Sequence, residues 1–213
     1  MTLPSRRLTC LEPHSTVLQV PPLTAPFLAA AVLVALAGWL KVQRPAETAQ
    51  ALRTQGLPSA PVLVRLLGVV ELVVAGLALA GTTVGAITLT ALYAGFTGFV
   101  LLALLRGRPL SSCGCFGSPD TPPSWWHVGV TSSSAVCAGA VAALGTSAGL
   151  PALATASWGA GLAAVAGTVL VLGLAYAVLA ELPPVLTAAA RRPDPAEPVH
   201  PAVFQIVPRS AAQ

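Results

Sequence analysis

The stretch APVLVRLLGVVELVVAGLALAGTTVGAITLTALYAGFTGFVLLALL, residues 60–105, contains two apolar runs that meet near Gly81. Each run has the length of about 20 residues that a helix needs to cross a bilayer core of roughly 30 Å. The few residues between the runs leave room only for a tight turn. The stretch therefore predicts an antiparallel pair of membrane-spanning helices.

Three further apolar segments flank this pair, at about residues 23–42, 125–150 and 157–182. Charged residues make up 8% of the chain, whereas soluble domains carry roughly 25%. We therefore predict an all-α fold, a polytopic bundle of membrane helices. Its expected parts are a flexible tail (1–22), a four-span membrane domain (23–150), an additional span (151–182) and a Pro/Arg-rich disordered tail (183–213).

The net charge of +4 does not indicate a nucleic-acid-binding protein. The arginines lie at the ends of the apolar segments, where cationic side chains reach the lipid headgroups. No basic stripe with interleaved aromatic residues is present, and such a stripe is the usual footprint of nucleic-acid binding. The bilayer is the partner that the composition predicts.

Two cysteines one residue apart lie in the loop between the third and fourth spans, in the string CGCFG at residues 113–117. A disulfide requires their Cα atoms to approach within about 4.4–6.8 Å, and Gly114 allows the chain to bend that far. The ring would be small and strained, which makes a disulfide easier to reduce. Arg106 and Arg108 lie nearby in sequence and favour the thiolate form. This pattern is typical of a pair that exchanges electrons.

Other interpretations of the cysteines stay open. Zinc needs about four ligands, usually with C-x2-C spacing; this spacing is absent here, and His127 is the only histidine near Cys113 and Cys115 in sequence, so no metal site is predicted. The alternative to a redox pair is a non-enzymatic assembly or transport component with structural cysteines, in which Glu71 lines a polar pathway. Cys137, deep in the fourth span, is predicted to be a small apolar filler.

Glu71 lies in the middle of the second span, where a carboxylate is costly and is therefore a candidate functional group. It could stay protonated, pair with a cation, or accept a proton when a quinone-like carrier is reduced. A packing hydrogen bond inside the bundle is the structural alternative. Arg65 lies about 240° away around the helix and is not an obvious partner. Gly68 and Ala75 would let another helix approach closely.

His127 stands at the start of the fourth span, directly after Trp125 and Trp126. It could shuttle protons for the thiols, or it could join the two tryptophans in an aromatic belt at the membrane interface. Trp39 and Lys41, at the end of the first span, are likewise predicted to reach the interface. The candidate catalytic residues are Cys113, Cys115, Glu71 and His127.

The side of the membrane that the cysteine loop faces is not decided by the sequence. With five spans, this loop shares one side with the C-terminal tail and with residues 43–59, which we predict to be a polar loop. Most of the chain's cationic residues lie on that side, so the positive-inside rule predicts a cytoplasmic loop. Disulfides, however, persist more readily outside the cytosol. The abundance of Ala, Val, Leu, Gly and Arg is consistent with a bacterial cell membrane protein.

These features resemble the MauE family of the MauE/DoxX-like membrane proteins over about residues 23–145. The resemblance rests mainly on CGCFG, supported by Trp39-Leu40-Lys41, Val70-Glu71-Leu72, Gly76, Tyr93, Phe96 and Arg106-Gly107. It implies a four-helix membrane core, a redox role for the two loop cysteines and a thioredoxin-like partner. The family is associated with disulfide formation during methylamine utilisation. Glu71 and Lys41 match family positions of undefined role.

No cofactor is firmly implied, and a membrane quinone is the candidate electron carrier. The fifth span and the C-terminal tail depart from the four-span pattern of the family.

Overall fold

The computed structural model describes residues 22–106, 124–146 and 148–178. Within these ranges the chain forms seven helices: α1 (Thr24–Gln43), α2 (Pro45–Thr54), α3 (Pro61–Leu79), α4 (Thr83–Leu105), α5 (Trp125–Leu144), α6 (Leu150–Ala154) and α7 (Trp158–Tyr176). Five of them, α1, α3, α4, α5 and α7, are long and apolar enough to cross a membrane. The predicted polytopic helical bundle is confirmed, and the chain is a multi-pass membrane protein.

The turn between α3 and α4 is as short as the sequence predicts. Gly81 has a φ angle of +73°, a left-handed conformation that glycine adopts without steric penalty. The hydroxyl of Thr82 then accepts a hydrogen bond from the backbone N–H of Gly85 at 3.0 Å, which caps the start of α4. The two spans therefore run antiparallel.

Two described helices were not predicted. Helix α2 occupies most of the segment 43–59, for which a polar loop is expected, and α6 is a short helix before α7. Pro45 in the first turn of α2 and Glu47 beside it suit a helix start. The buried side of α2 consists of small residues, Thr48, Ala49 and Ala51, which form no clear apolar stripe in the sequence. The prediction of a loop there is wrong.

Helix α1 is the central element of the bundle. It packs against α3, α5 and α7, whereas α4 packs against α3 and α5. The main core lies where α1, α3, α4 and α5 meet, and Phe27, Val34, Leu89 and Tyr93 are buried in it. Helix α7 lies against the outside of α1, where Gly167 approaches Ala25. The result is the expected four-helix core with a fifth, peripheral span.

The outward faces of the spans are strongly apolar. On α3 the exposed residues include Val62, Leu66, Val69 and Val73, and α7 exposes Leu162, Val169 and Leu170. A soluble protein rarely exposes such continuous apolar surfaces. These apolar faces fit a lipid environment. A helix can be placed there because the backbone polar groups of each span form their hydrogen bonds within the same helix.

Candidate functional site

Lys41 of α1 and Glu71 of α3 form an ion pair inside the bundle. Nζ of Lys41 donates a hydrogen bond to Oε2 of Glu71 at 2.9 Å, and the two side chains are 2% and 0% exposed. Buried charges are tolerated when they are paired and hydrogen-bonded. Of the interpretations of Glu71, pairing with a cation is the one that the geometry shows, and the cation is not Arg65.

Two glycines bring the partners of this pair together. A Cβ atom built on Gly38 would lie 2.7 Å from the carbonyl oxygen of Gly68, and one built on Gly68 would lie 2.7 Å from that of Gly38. Each glycine precedes its charged residue by three positions, about one helical turn. The close approach of α1 and α3 that Gly68 predicts is therefore real, and it occurs beside Lys41 and Glu71.

The expectation that Lys41 reaches the membrane interface is wrong. Its side chain is buried, whereas Trp39, two residues earlier, is 55% exposed. Nζ of Lys41 also lies 5.4 Å from the centroid of the Phe96 ring, within the range of a cation–π contact. The acidic partner and the aromatic ring compensate for the water that the ammonium group loses.

A cavity of about 290 Å³ lies beside this pair, enclosed by α1, α2, α3 and α4. Its walls include Lys41, Thr48, Leu67, Gly95, Phe96 and Phe99. Lys41 and Thr48 are the polar residues of this lining. Ala91 and Gly95 of α4 also line it and are exposed, so the cavity opens sideways through the middle of a span. Nothing in the sequence pattern predicts this cavity, because α2 forms part of its wall.

Tyr93 holds the α4 wall of the cavity in place. Its hydroxyl donates a hydrogen bond to the backbone carbonyl of Ala30 in α1 at 2.9 Å. Its ring meets the Phe96 ring edge to face, with centroids 5.9 Å apart, a favourable aromatic geometry. The family resemblance singles out both residues, and the structure shows that they pack together beside the ion pair.

The end of α4 is tied to α2. Nη1 of Arg106 donates a hydrogen bond to the backbone carbonyl of Gln55, at the C-terminal end of α2, at 3.0 Å. The chain enters the cysteine loop directly after Arg106. The C-terminal end of α4 is therefore on the same side of the bundle as α2. Cys113 and Cys115 themselves lie outside the described residues, as does Cys10.

His127 caps the start of α5. Its Nδ1 accepts a hydrogen bond from the backbone N–H of Ser124 at 3.3 Å and lies 2.9 Å from the Ser124 hydroxyl. The imidazole is 6% exposed, whereas Trp125 and Trp126 are 67% and 51% exposed. The tryptophans face outward as a belt would, and the histidine turns into the bundle. Its proposed proton transfer to the thiols stays a prediction.

Cys137 is partly buried on α5 and packs against the main core. Its thiol lies 3.9 Å from the backbone carbonyl of Leu23. This environment fits the apolar filler that the sequence predicts. Cys137 therefore offers a matched cysteine for experiments on the loop pair.

The family model of the methylamine utilisation protein MauE matches residues 19–147 of the chain. The match covers more than half of the 213 residues. It includes α1 to α5, the Lys41–Glu71 pair, the cavity and the cysteine loop. Neither a curated protein nor a solved structure matches the chain.

Proposed function

Because the chain belongs to the MauE family of membrane proteins, we propose that it is a thiol-redox protein that uses Cys113 and Cys115. The observation that carries the proposal is the string CGCFG within the matched residues. The two thiols are one residue apart, which suits a pair that changes readily between dithiol and disulfide. By the family's description, the protein would serve methylamine utilisation in a bacterial cell membrane.

The reaction proposed is disulfide formation in a partner protein. A thiolate of the partner attacks the Cys113–Cys115 disulfide, which gives a mixed disulfide and releases one loop thiol. The second thiol of the partner then attacks the mixed disulfide. The partner leaves oxidised, and the loop pair keeps two electrons and two protons as a dithiol. A thioredoxin-like protein is the partner that the family resemblance suggests.

The described helices support this proposal by holding both ends of the loop. Arg106 ties the last residues of α4 to α2, and His127 caps the first turn of α5. Between the two helices, the hydroxyl of Thr97 donates a hydrogen bond to that of Thr131 at 2.9 Å. The described residues on either side of the cysteine segment are therefore anchored to the bundle.

The transport alternative has less support. A polar pathway needs a line of polar side chains, but the lining of the cavity is apolar apart from Lys41 and Thr48. Glu71 is 0% exposed and is held by Lys41. A carboxylate in this setting is poorly placed to pass ions or polar solutes.

Serine substitutions test the proposal. We expect Cys113→Ser and Cys115→Ser each to reduce partner oxidation to the rate without the protein, because neither variant can form the loop disulfide. The measurement is the rate at which a reduced thioredoxin-like partner becomes oxidised in vesicles that contain the purified protein.

Cys137→Ser is the matched control, since it also removes a thiol but lies in the core of the bundle. It should oxidise the partner at the wild-type rate. If the Cys113→Ser/Cys115→Ser double variant inserts normally and still oxidises the partner as fast as the wild type, the proposal is wrong.

A further inference from the structure

The cavity beside the Lys41–Glu71 pair opens toward lipid. Ala91 and Gly95 form an exposed part of its lining, and they lie near the middle of α4, a membrane span. A ligand that enters there comes from the bilayer and not from water. It must therefore be soluble in the membrane.

The charges around the cavity favour a neutral ligand. Lys41 is paired with Glu71, whose Oε2 atom lies 2.9 Å from Nζ, so the pair carries no net charge. The polar residues of the lining, Lys41 and Thr48, both carry hydrogen-bond donors, and none of the described residues brings a carboxylate to the lining. A neutral ligand with oxygen acceptors fits this set of groups.

The shape and size of the cavity favour a ring. Phe96 and Phe99 contribute two flat aromatic side chains to the lining, and aromatic rings pack well against another planar ring. An apolar cavity of about 150 Å³ is enough for benzene, so a cavity of about 290 Å³ holds a substituted ring. It has no room for a long hydrocarbon tail, which would leave through the opening at Gly95 into the bilayer.

We propose that this cavity binds the head ring of a membrane quinone. A quinone is neutral and planar, carries carbonyl acceptors and has an apolar tail. This inference rests on the proposed function, in which the quinone would reoxidise the loop dithiol. Two S–H bonds break and one S–S bond forms, and the two electrons and two protons convert the quinone to a quinol. The binding site consists of described residues alone and does not require the cysteines.

Photolabelling of the purified full-length protein in lipid nanodiscs tests the site. The probe is an azido derivative of decylubiquinone, and peptide mapping locates the label. We expect the label on the α4 segment that contains Phe96 and Phe99. Unmodified decylubiquinone should compete with the probe. Decanol, which has the same tail length without the ring, should not.

A pair of glycines on the same helix provides matched variants. A Cβ atom built on Gly95 or on Gly98 meets nothing within 4 Å, so both positions accept the first side-chain carbon without a clash. Of the two, Gly95 lines the cavity. We expect Gly95→Leu to reduce labelling by roughly tenfold, because its side chain occupies the space of the ring. Gly98→Leu should label like the wild type. Ala91→Leu, at the same opening, is a second blocking variant.

The outcomes separate this inference from the proposed function. Labelling of the Cys113→Ser/Cys115→Ser variant at the wild-type level supports the quinone site whether or not the cysteines exchange electrons. The inference is overturned if folded Gly95→Leu and Ala91→Leu label like the wild type. It is also overturned if decanol competes as well as decylubiquinone, because the cavity is then a slot for acyl chains.

Discussion

At the scale of residues, Lys41 and Glu71 depend on each other. Both side chains are buried, and Lys41 donates the hydrogen bond that the carboxylate of Glu71 accepts. Such a pair is weak evidence of stability by itself, because the desolvation of two ions offsets much of their attraction. Removing only one of the two residues is nevertheless costly, because the other charge stays buried. The free energy of unfolding measures this cost.

We expect Lys41→Met to destabilise the protein by about 3–5 kcal/mol, because Glu71 would remain buried without its cation. The Lys41→Met/Glu71→Met double variant should recover most of this loss, since it replaces both ions by apolar side chains. The measurement is the free energy of unfolding in mixed detergent micelles. Arg65→Met is the control, because Arg65 lies on the same helix as Glu71 but is exposed.

Wild-type stability in Lys41→Met would show that the carboxylate finds another partner. A double variant as unstable as Lys41→Met would show that the two residues act independently of each other.

At the scale of elements, the packing of α1 on α3 depends on two glycines that lie opposite each other in the interface between the helices. Gly38 and Gly68 face each other across the interface, and each approaches the other's carbonyl oxygen. Small residues are common where membrane helices approach closely, because van der Waals packing drives their association. The same contact positions the ion pair, so packing and electrostatics act at one place.

Gly38→Ala and Gly68→Ala should each destabilise the bundle by about 1–3 kcal/mol, because the added methyl group forces the helices apart. The separation should also lengthen the bond between Lys41 and Glu71. Gly76→Ala on α3 is the matched control, since a Cβ atom there meets nothing within 4 Å. It should be neutral or stabilising, by up to about 1 kcal/mol, because alanine favours helix more than glycine does. Equal melting temperatures for all three variants would contradict this account.

At the scale of the whole molecule, the five spans divide the connections between two sides of the membrane. Helix α2 and the C-terminal end of α4, from which the chain continues into the cysteine segment, lie on one side of the bundle, and the turn at Gly81 lies on the other. Helix α2 lines the cavity together with α1, α3 and α4, so the cavity lies toward the α2 side of the bundle. The thiols and the proposed quinone site are therefore expected at the same side.

Single cysteines placed at two exposed positions, Glu47→Cys and Thr83→Cys, test this arrangement in a background without the native cysteines. Glu47 is on α2 and Thr83 is next to the opposite turn, so a membrane-impermeant maleimide should label only one of them in intact cells. The positive-inside rule predicts that Thr83→Cys is the labelled one. Labelling of both, or of neither before permeabilisation, would contradict the five-span topology.

The sequence predicts the spans well, because their length and composition are set by the bilayer and need no knowledge of neighbours. The short turn at Gly81 is predictable for the same reason. Helix α2 could not be predicted, since its burial arises from contacts with α1 and α3. The partner of Glu71 could not be predicted either, because Lys41 is thirty positions away and the register of two helices depends on packing. The cavity depends both on α2 and on the packing of the spans, so the sequence does not predict it.

The Lys41–Glu71 pair also bears on how the protein is made. Helix α1 is synthesised before α3, so for a time it carries a cation that has no carboxylate beside it. Lys41 is in the last turn of α1, where a long cationic side chain reaches the interface while α1 is alone. Glu71 is in the middle of α3, so it is the carboxylate that is costly to insert without a cation beside it. A slip of one turn between the two helices, about 5.4 Å, would separate Lys41 from Glu71. The ion pair would thereby favour the register in which α1 and α3 are correctly aligned during assembly.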